Sequence, residues 1–155
     1  MFTKEEEKNL RILFWSSFKT YCIKNRIYRK WVLTGVKIKS TQLKFYADNN
    51  KAIVLFQIDH KNDVRRYEVY ETFLPYKKLF TKVCGAGLKW NEDFTEIDNR
   101  PISAIYFKLD GVNILRKLDW NKIYAFFVEK MTILEGLYWE YKDVIVEQIK
   151  ETKRE

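Results

Sequence analysis

Leu43-Lys44-Phe45-Tyr46-Ala47-Asp48-Asn49-Asn50-Lys51-Ala52-Ile53-Val54-Leu55-Phe56-Gln57-Ile58 is the stretch whose reading decides the fold. Asn49-Asn50 separates two runs rich in β-formers, and Asn tolerates the positive φ that a two-residue hairpin turn requires. The stretch therefore predicts a hairpin, Leu43–Asp48 against Ala52–Ile58. Apart from Gln57 the second arm is apolar on both faces, which predicts a central strand covered on both sides. With Asn49-Asn50 as the turn, Asp48 pairs with Lys51 and Asp59 falls opposite Ser40.

Upstream, Thr3-x-x-Glu6 forms a capping box, in which hydroxyl and carboxylate satisfy orphan backbone N–H groups. A helix is expected from Lys4 to about Ile27, because Leu10, Leu13, Phe14, Phe18 and Tyr21 recur at helical spacing. Trp15 and Cys22 widen that face. Downstream, Asn62 or Asp63 caps a second helix running to about Cys84 and stopped by Gly85. Its stripe is Val69, Phe73, Tyr76, Phe80 and Val83. Pro75 lies inside the pattern; it lacks a backbone donor and clashes with the preceding turn, so a kink or break is expected there. A second hairpin follows, Leu88–Phe94 and Ile102–Leu109, joined through Asn99-Arg100-Pro101. Asp119 is expected to cap a last helix from Trp120 to about Lys150, with Ile123, Phe127, Met131, Leu134, Tyr138, Tyr141, Ile145 and Ile149 inward. Gly136 weakens that helix by about 1 kcal/mol relative to Ala. The order α-ββ-α-ββ-α implies an α+β domain, a mainly antiparallel four-stranded sheet packed by three helices.

The 155 residues fit one domain spanning 1–155, with residues 151–155 expected to fray. Aromatics at 17% exclude a disordered tail, and five Gly with two Pro exclude a collagenous or low-complexity chain. No apolar run approaches the roughly 18–20 residues of a membrane span, so no membrane partner is expected. The start, Met1-Phe2-Thr3-Lys4-Glu5-Glu6-Glu7, places acids where a secretory signal needs a basic region before an apolar one. Cys22 and Cys84 have no metal-site or CxxC spacing and read as small apolar residues of a reducing cytoplasm.

Catalytic signatures are absent. His60 is the single histidine. No G-x-S-x-G elbow surrounds Ser16, Ser17, Ser40 or Ser103. Gly85-Ala86-Gly87 lacks the Gly-Lys-Ser/Thr ending of a P-loop and reads as a helix stop. Asp48 followed by Asp59-His60-Lys61 resembles the carboxylate pattern of restriction-type nucleases. In the expected register, however, Asp59 lies eight residues beyond Lys51, about 26 Å at about 3.3 Å per residue. That is too far to share a metal with Asp48, so neither a catalytic residue nor a metal or other cofactor is expected. His60 has two readings: a site residue beside Asp59, Asp63 and Arg66, or an imidazole bonded to helix-start backbone or a neighbouring carboxylate.

Several segments together resemble a bacterial family, domain of unknown function 4268. They are Phe14-Trp15-Ser16-Ser17-Phe18; Thr34-Gly35-Val36-Lys37 with Ala47-Asp48 and Lys51-Ala52; His60-Lys61 with Arg66 and Val69-Tyr70-Glu71-Thr72-Phe73; and Ile105-Tyr106, Gly111-Val112-Asn113-Ile114 and Asp119-Trp120. The resemblance covers almost the whole chain. The Thr34–Asp48 stretch is slightly longer than the family pattern, and Pro75 interrupts a helix that is continuous in it. The family carries no established activity. Its occurrence joined to restriction-type nuclease-like domains implies an accessory role near nucleic acid. Lys37, Asp48, His60, Arg66 and Glu71 are the polar residues that match it.

Net charge is +8, from 29 Lys and Arg against 21 Asp and Glu. Residues 1–60 hold 12 basic and 5 acidic residues, so nearly all of the excess lies there. Residues 8–47 contain ten basic residues and no acid: Lys8, Arg11, Lys19, Lys24, Arg26, Arg29, Lys30, Lys37, Lys39 and Lys44. Tyr21, Tyr28, Trp31 and Tyr46 are interleaved. Cations neutralise phosphates and exposed aromatics stack on bases. Lys24, Arg26, Arg29, Lys30, Trp31, Lys37 and Lys39 are the candidate nucleic-acid contacts. The expected function is a non-catalytic module that binds nucleic acid through its phosphate backbone or serves a nuclease system. The alternative is a protein-interaction or homodimerisation module, favoured by the aromatic excess.

Overall fold

The computed structural model describes residues 1–28, 31, 33, 36 and 38–154, with side chains to residue 151. Its elements are α1 (Lys4–Lys24), β1 (Thr41–Ala47), β2 (Lys51–Ile58), α2 (Asp63–Phe73), a 3₁₀ turn (Leu74–Tyr76), α3 (Lys77–Cys84), β3 (Lys89–Phe94), β4 (Ile102–Asp110) and α4 (Lys117–Arg154). The fold is α+β, in the expected order, with the second helical segment divided at Pro75. Among the described residues, no helix is long and apolar enough to cross a membrane.

The four strands form one antiparallel sheet in the order β1-β2-β4-β3. β1 pairs with β2 from Ala47↔Ala52 to Thr41↔Ile58. The same register continues past both ends, with Asp48 N–H bonded to Lys51 O and Asp59 N–H to Ser40 O, each 2.9 Å. This is the register that the Asn49-Asn50 turn predicts.

Every residue from Ala52 to Ile58 is buried. Alternation sorts them onto two faces. Ala52, Val54, Phe56 and Ile58 join the main core with Phe14 and Phe18 of α1, Val69 and Phe73 of α2, and Ile123, Phe127 and Met131 of α4. Ile53 and Leu55 face a smaller cluster with Phe94, Ile102, Ala104 and Tyr106. Both faces of β2 are thus covered. The second cover is no helix: Tyr46 and, from the β3–β4 connection, Ile97 complete it.

Thr3 and Glu6 form the reciprocal capping box at the start of α1. The helix stops at Lys24, short of Ile27. Arg26 takes a left-handed φ of 59°, and Ile27 N–H turns back to Cys22 O at 2.8 Å. The buried residues of α1 are Phe14, Phe18 and Cys22, one every four positions. Leu13 falls on the shoulder of that stripe and is exposed, contrary to its place in the expected apolar face. Phe14 is the centre of an aromatic cluster, with ring centroids 5.5 Å from Trp120, 5.0 Å from Tyr124 and 6.2 Å from Phe127. The Tyr124 hydroxyl donates to Phe14 O at 2.5 Å, and burial pushes that phenol up.

Asn62 caps α2 by accepting Arg65 N–H at 3.1 Å. At Pro75 the helix gives way to the 3₁₀ turn before α3, and Val83 on α3 is exposed rather than in the core stripe. Gly85, at φ +76°, ends α3 as expected of a helix stop. α4 begins two residues before Asp119, which is no N-cap. Its carboxylate reaches back to accept Asn113 N–H at 3.0 Å and ties the β4–α4 connection to the first helical turn. α4 also continues beyond Lys150, to Arg154.

Asp48 closes the first hairpin. One carboxylate oxygen accepts Asn50 N–H (2.8 Å) and Lys51 N–H (3.0 Å); the other accepts the Tyr46 hydroxyl (2.9 Å) and pairs with Lys51 Nζ (3.0 Å). Burial by itself raises the Asp48 carboxyl, but hydrogen bonds from Asn50, Lys51 and Tyr46 outweigh it and hold the group below its ordinary value. The Tyr46 phenol is pushed up to about 12, chiefly by burial and then by Asp48. Because the folded Asp48 value is depressed, its stabilisation is complete above the unfolded value of about 3.9 and disappears as pH falls through the folded one. Asp48→Asn should cost about 1–2 kcal/mol at neutral pH, measured by urea denaturation. The difference from wild type should shrink below pH of about 4; an equal difference at both pH values would contradict this role.

Candidate functional site

An open groove of about 770 Å³ lies between α1, the segment that follows it, and the edge strand β1. Trp15, Phe18, Tyr28, Trp31 and Phe45 line it, and Lys19 and Lys44 supply its cations. Trp15 rests one face on Phe127, with centroids 5.7 Å apart and planes 8° from parallel, and is partly exposed. Tyr28 is 75% exposed. Trp31 is half-buried: it stacks on Phe18 at 6.1 Å and meets Phe45 edge-on at 5.4 Å. Its indole N–H is buried without a partner among the described residues.

The cations around this end of the molecule are poorly neutralised. Lys19, Lys24, Arg26 and Lys44 form no ion pair among the described residues; toward the other end of α1, Lys8 forms none either and Arg11 pairs with Glu7 at 3.8 Å. Lys24 occupies the last turn of α1, and Arg26 stands just beyond it. Arg29, Lys30 and Lys37 lie outside the described residues.

Lys39 belongs to a different place. With His60, Arg65 and Lys150 it lines a cavity of about 160 Å³ over Ile38, Val69, Val146 and Ile149. Ser40, which still accepts Asp59 N–H, takes a left-handed φ of 61°, so Lys39 lies in the turn before β1 and joins His60 at the cavity from there. Nothing local announced Arg65 or Lys150, which arrive on α2 and α4. His60 Nδ1 accepts Asn62 N–H at 3.1 Å, the helix-start backbone bond of its structural reading. Asp63 and Arg66 do not line its cavity.

Asp48 and Asp59 stand at opposite ends of the hairpin. No three His, Cys, Asp or Glu side chains converge as metal ligands among the described residues. Cys22 and Cys84 are free, and burial pushes both thiols up, the second slightly offset by Lys130. A third void, bounded by Phe56, Phe73 and Phe80, measures about 20 Å³ and is a packing gap.

A family model described as a domain of unknown function (DUF4268) matches residues 10–142, from α1 through most of α4. The chain belongs to this family. No curated protein and no solved structure shows significant similarity to it.

The polar residues expected from the resemblance divide by role. Asp48 closes a turn and Lys37 is outside the described residues. Glu71 is exposed on α2 and makes no side-chain bond among the described residues. Arg66 is 1% exposed. Its guanidinium donates to Ser103 Oγ (2.9 Å), Asp93 Oδ1 (3.0 Å), Asp63 Oδ1 (3.5 Å) and the Glu92 carbonyl, and lies 4.5 Å above the Tyr67 ring. Tyr67 also donates to Asp93 Oδ1, at 2.5 Å. Hydrogen bonds from Tyr67 and Arg66 hold the Asp93 carboxyl below its ordinary value. Arg66 therefore fastens α2 to the second hairpin. Its partners on that hairpin lie 26 to 37 residues away, a separation no motif reports.

Arg66→Ala removes a buried stem and its hydrogen bonds and should cost about 2–4 kcal/mol in chemical denaturation. Asp93 is half-exposed and solvent-screened, so Asp93→Ala should cost under about 1 kcal/mol. Equal costs would show that the ion pair, rather than the buried stem with its bonds to Ser103 and the Glu92 carbonyl, dominates.

Proposed function

We propose that the protein is a non-catalytic module that binds single-stranded nucleic acid, as an accessory to a nuclease system, in a bacterial cytoplasm. The observation that carries this reading is the coincidence of cations that form no ion pair among the described residues with an open aromatic groove. Lys19 and Lys44 line the groove beside Trp15 and Tyr28, and Lys24 and Arg26 extend the charge past the end of α1. The lysines would track phosphates while the open faces of Trp15 and Tyr28 stack on bases. A largely apolar groove favours unstacked bases over a duplex, whose bases are already stacked. The DUF4268 membership is compatible with this reading and adds no activity to it.

A labelled oligonucleotide should bind with an affinity that falls linearly in a log–log plot against salt. Replacing Lys19 and Lys44 with Gln should reduce the slope by about 0.7 for each phosphate that is no longer neutralised. Tyr28→Ala should weaken binding by about 1–3 kcal/mol at every salt concentration while leaving the slope unchanged. No binding of DNA or RNA at about 50 mM salt would overturn the reading.

A second reading rests on β1, whose outer edge is unpaired within the sheet and borders the same groove. A second copy adding a strand there would make a homodimer. A monomer mass that does not change across a hundredfold concentration range, by sedimentation equilibrium, would remove it.

A further inference from the structure

We propose that the cavity lined by Lys39, His60, Arg65 and Lys150 binds a small organic phosphate monoester. Four separate parts of the chain build it: the segment before β1, the β2–α2 turn, α2, and the last turns of α4. Its polar lining consists of donors. Lys39 forms no ion pair among the described residues. Asn62 N–H occupies Nδ1 of His60, so a neutral imidazole carries its proton on Nε2, which has no partner among the described residues. Arg65 and Lys150 each have one carboxylate neighbour on their own helix, Glu68 and Glu147, and neither acid lines the cavity.

With three cations, a free imidazole N–H and no acceptor side chain among the described residues that line it, the site is the complement of a dianion rich in oxygens. A phosphate monoester presents three terminal oxygens to these donors, and the Arg fork matches that geometry. A carboxylate carries one charge and would leave donors unmatched. The floor is different in kind: Ile38, Val69, Val146 and Ile149 are apolar and would receive the ester's organic part. The cavity's volume of about 160 Å³ leaves room for a phosphoryl group with a small ring or short chain.

The wall is built before any ligand arrives. Arg100 donates to the carbonyls of His60 (2.7 Å) and Asp59 (3.1 Å), which holds the β2–α2 turn in place. The Thr41 hydroxyl donates to Ile38 O at 2.5 Å and fastens the turn that carries Lys39. This site lies apart from the aromatic groove, and its occupancy requires no nucleic acid.

The full chain would be titrated with phenyl phosphate, inorganic phosphate and benzoate by calorimetry and by NMR of the His60 ring. Phenyl phosphate should saturate with Kd below about 1 mM. Inorganic phosphate should bind at least about fivefold more weakly for want of the apolar contact. Benzoate should bind about tenfold more weakly, for want of the second charge. Lys39→Gln and Arg65→Gln should each weaken phenyl phosphate about tenfold, with far-UV circular dichroism and Tm unchanged. Trp15→Ala, in the other groove, should leave the affinity as it is. Absence of saturation, equal affinity for benzoate and phenyl phosphate, or wild-type affinity in both the Lys39 and Arg65 variants would each overturn the assignment.

Discussion

Ala52–Ile58 cannot meet water on either face, and most of the architecture follows from that constraint. A strand buried on both sides needs a hydrogen-bonded neighbour at each edge, because unpaired backbone groups in an apolar interior are costly. The Asn49-Asn50 turn supplies β1 on one edge. The other edge must come from elsewhere in the chain, and β4 takes it, from Lys51↔Asp110 to Ile58↔Ser103. That leaves β1 and β3 outside. The larger apolar face of β2 then collects α1, α2 and α4, while the smaller one is closed by Phe94, Tyr106 and the partly buried Tyr46 and Ile97.

The two candidate binding regions are consequences of the same arrangement. Because β1 lies at the edge, the hollow beside it is bordered by α1 and the segment that follows it, and the aromatic groove opens there. Ser40–Asp59 closes the far end of the β1–β2 pairing, and the turns on either side of it, which carry Lys39 and His60, both line the second cavity. The described basic residues of the first half therefore line two separate places. Lys19 and Lys44 line the groove, while Lys39 serves a cavity completed by residues of α2 and α4.

The local signals were legible where a few neighbouring residues decide the outcome. The Thr3–Glu6 box, the Asn49-Asn50 turn, the Pro75 break and the Gly85 stop each depend on chemistry within about one helical turn. Helix ends were less legible. α1 stops because Arg26 adopts a left-handed backbone, a choice nothing in its side chain announces. Asp119 carries the sequence mark of an N-cap yet bonds Asn113 from inside the first turn. Leu13 and Val83 fit a helical stripe by spacing but sit at its margin, where the partner surface decides which shoulder is covered. For His60, two partners were conceivable; the nearby backbone N–H of Asn62 took Nδ1.

By itself the sequence determined the α+β class, the order of elements, the register of the first hairpin, the burial of β2 and the location of the charge excess. Each is written in periodicity, turn chemistry or composition over short spans. Tertiary structure alone decided that β4 rather than β3 flanks β2, that Arg66 reaches Glu92, Asp93 and Ser103, and that Arg65 and Lys150 share a cavity with Lys39 and His60. These contacts join residues tens of positions apart. Which of them form depends on how the apolar faces of sheet and helices dock, and docking is a property of packed surfaces that no local pattern carries.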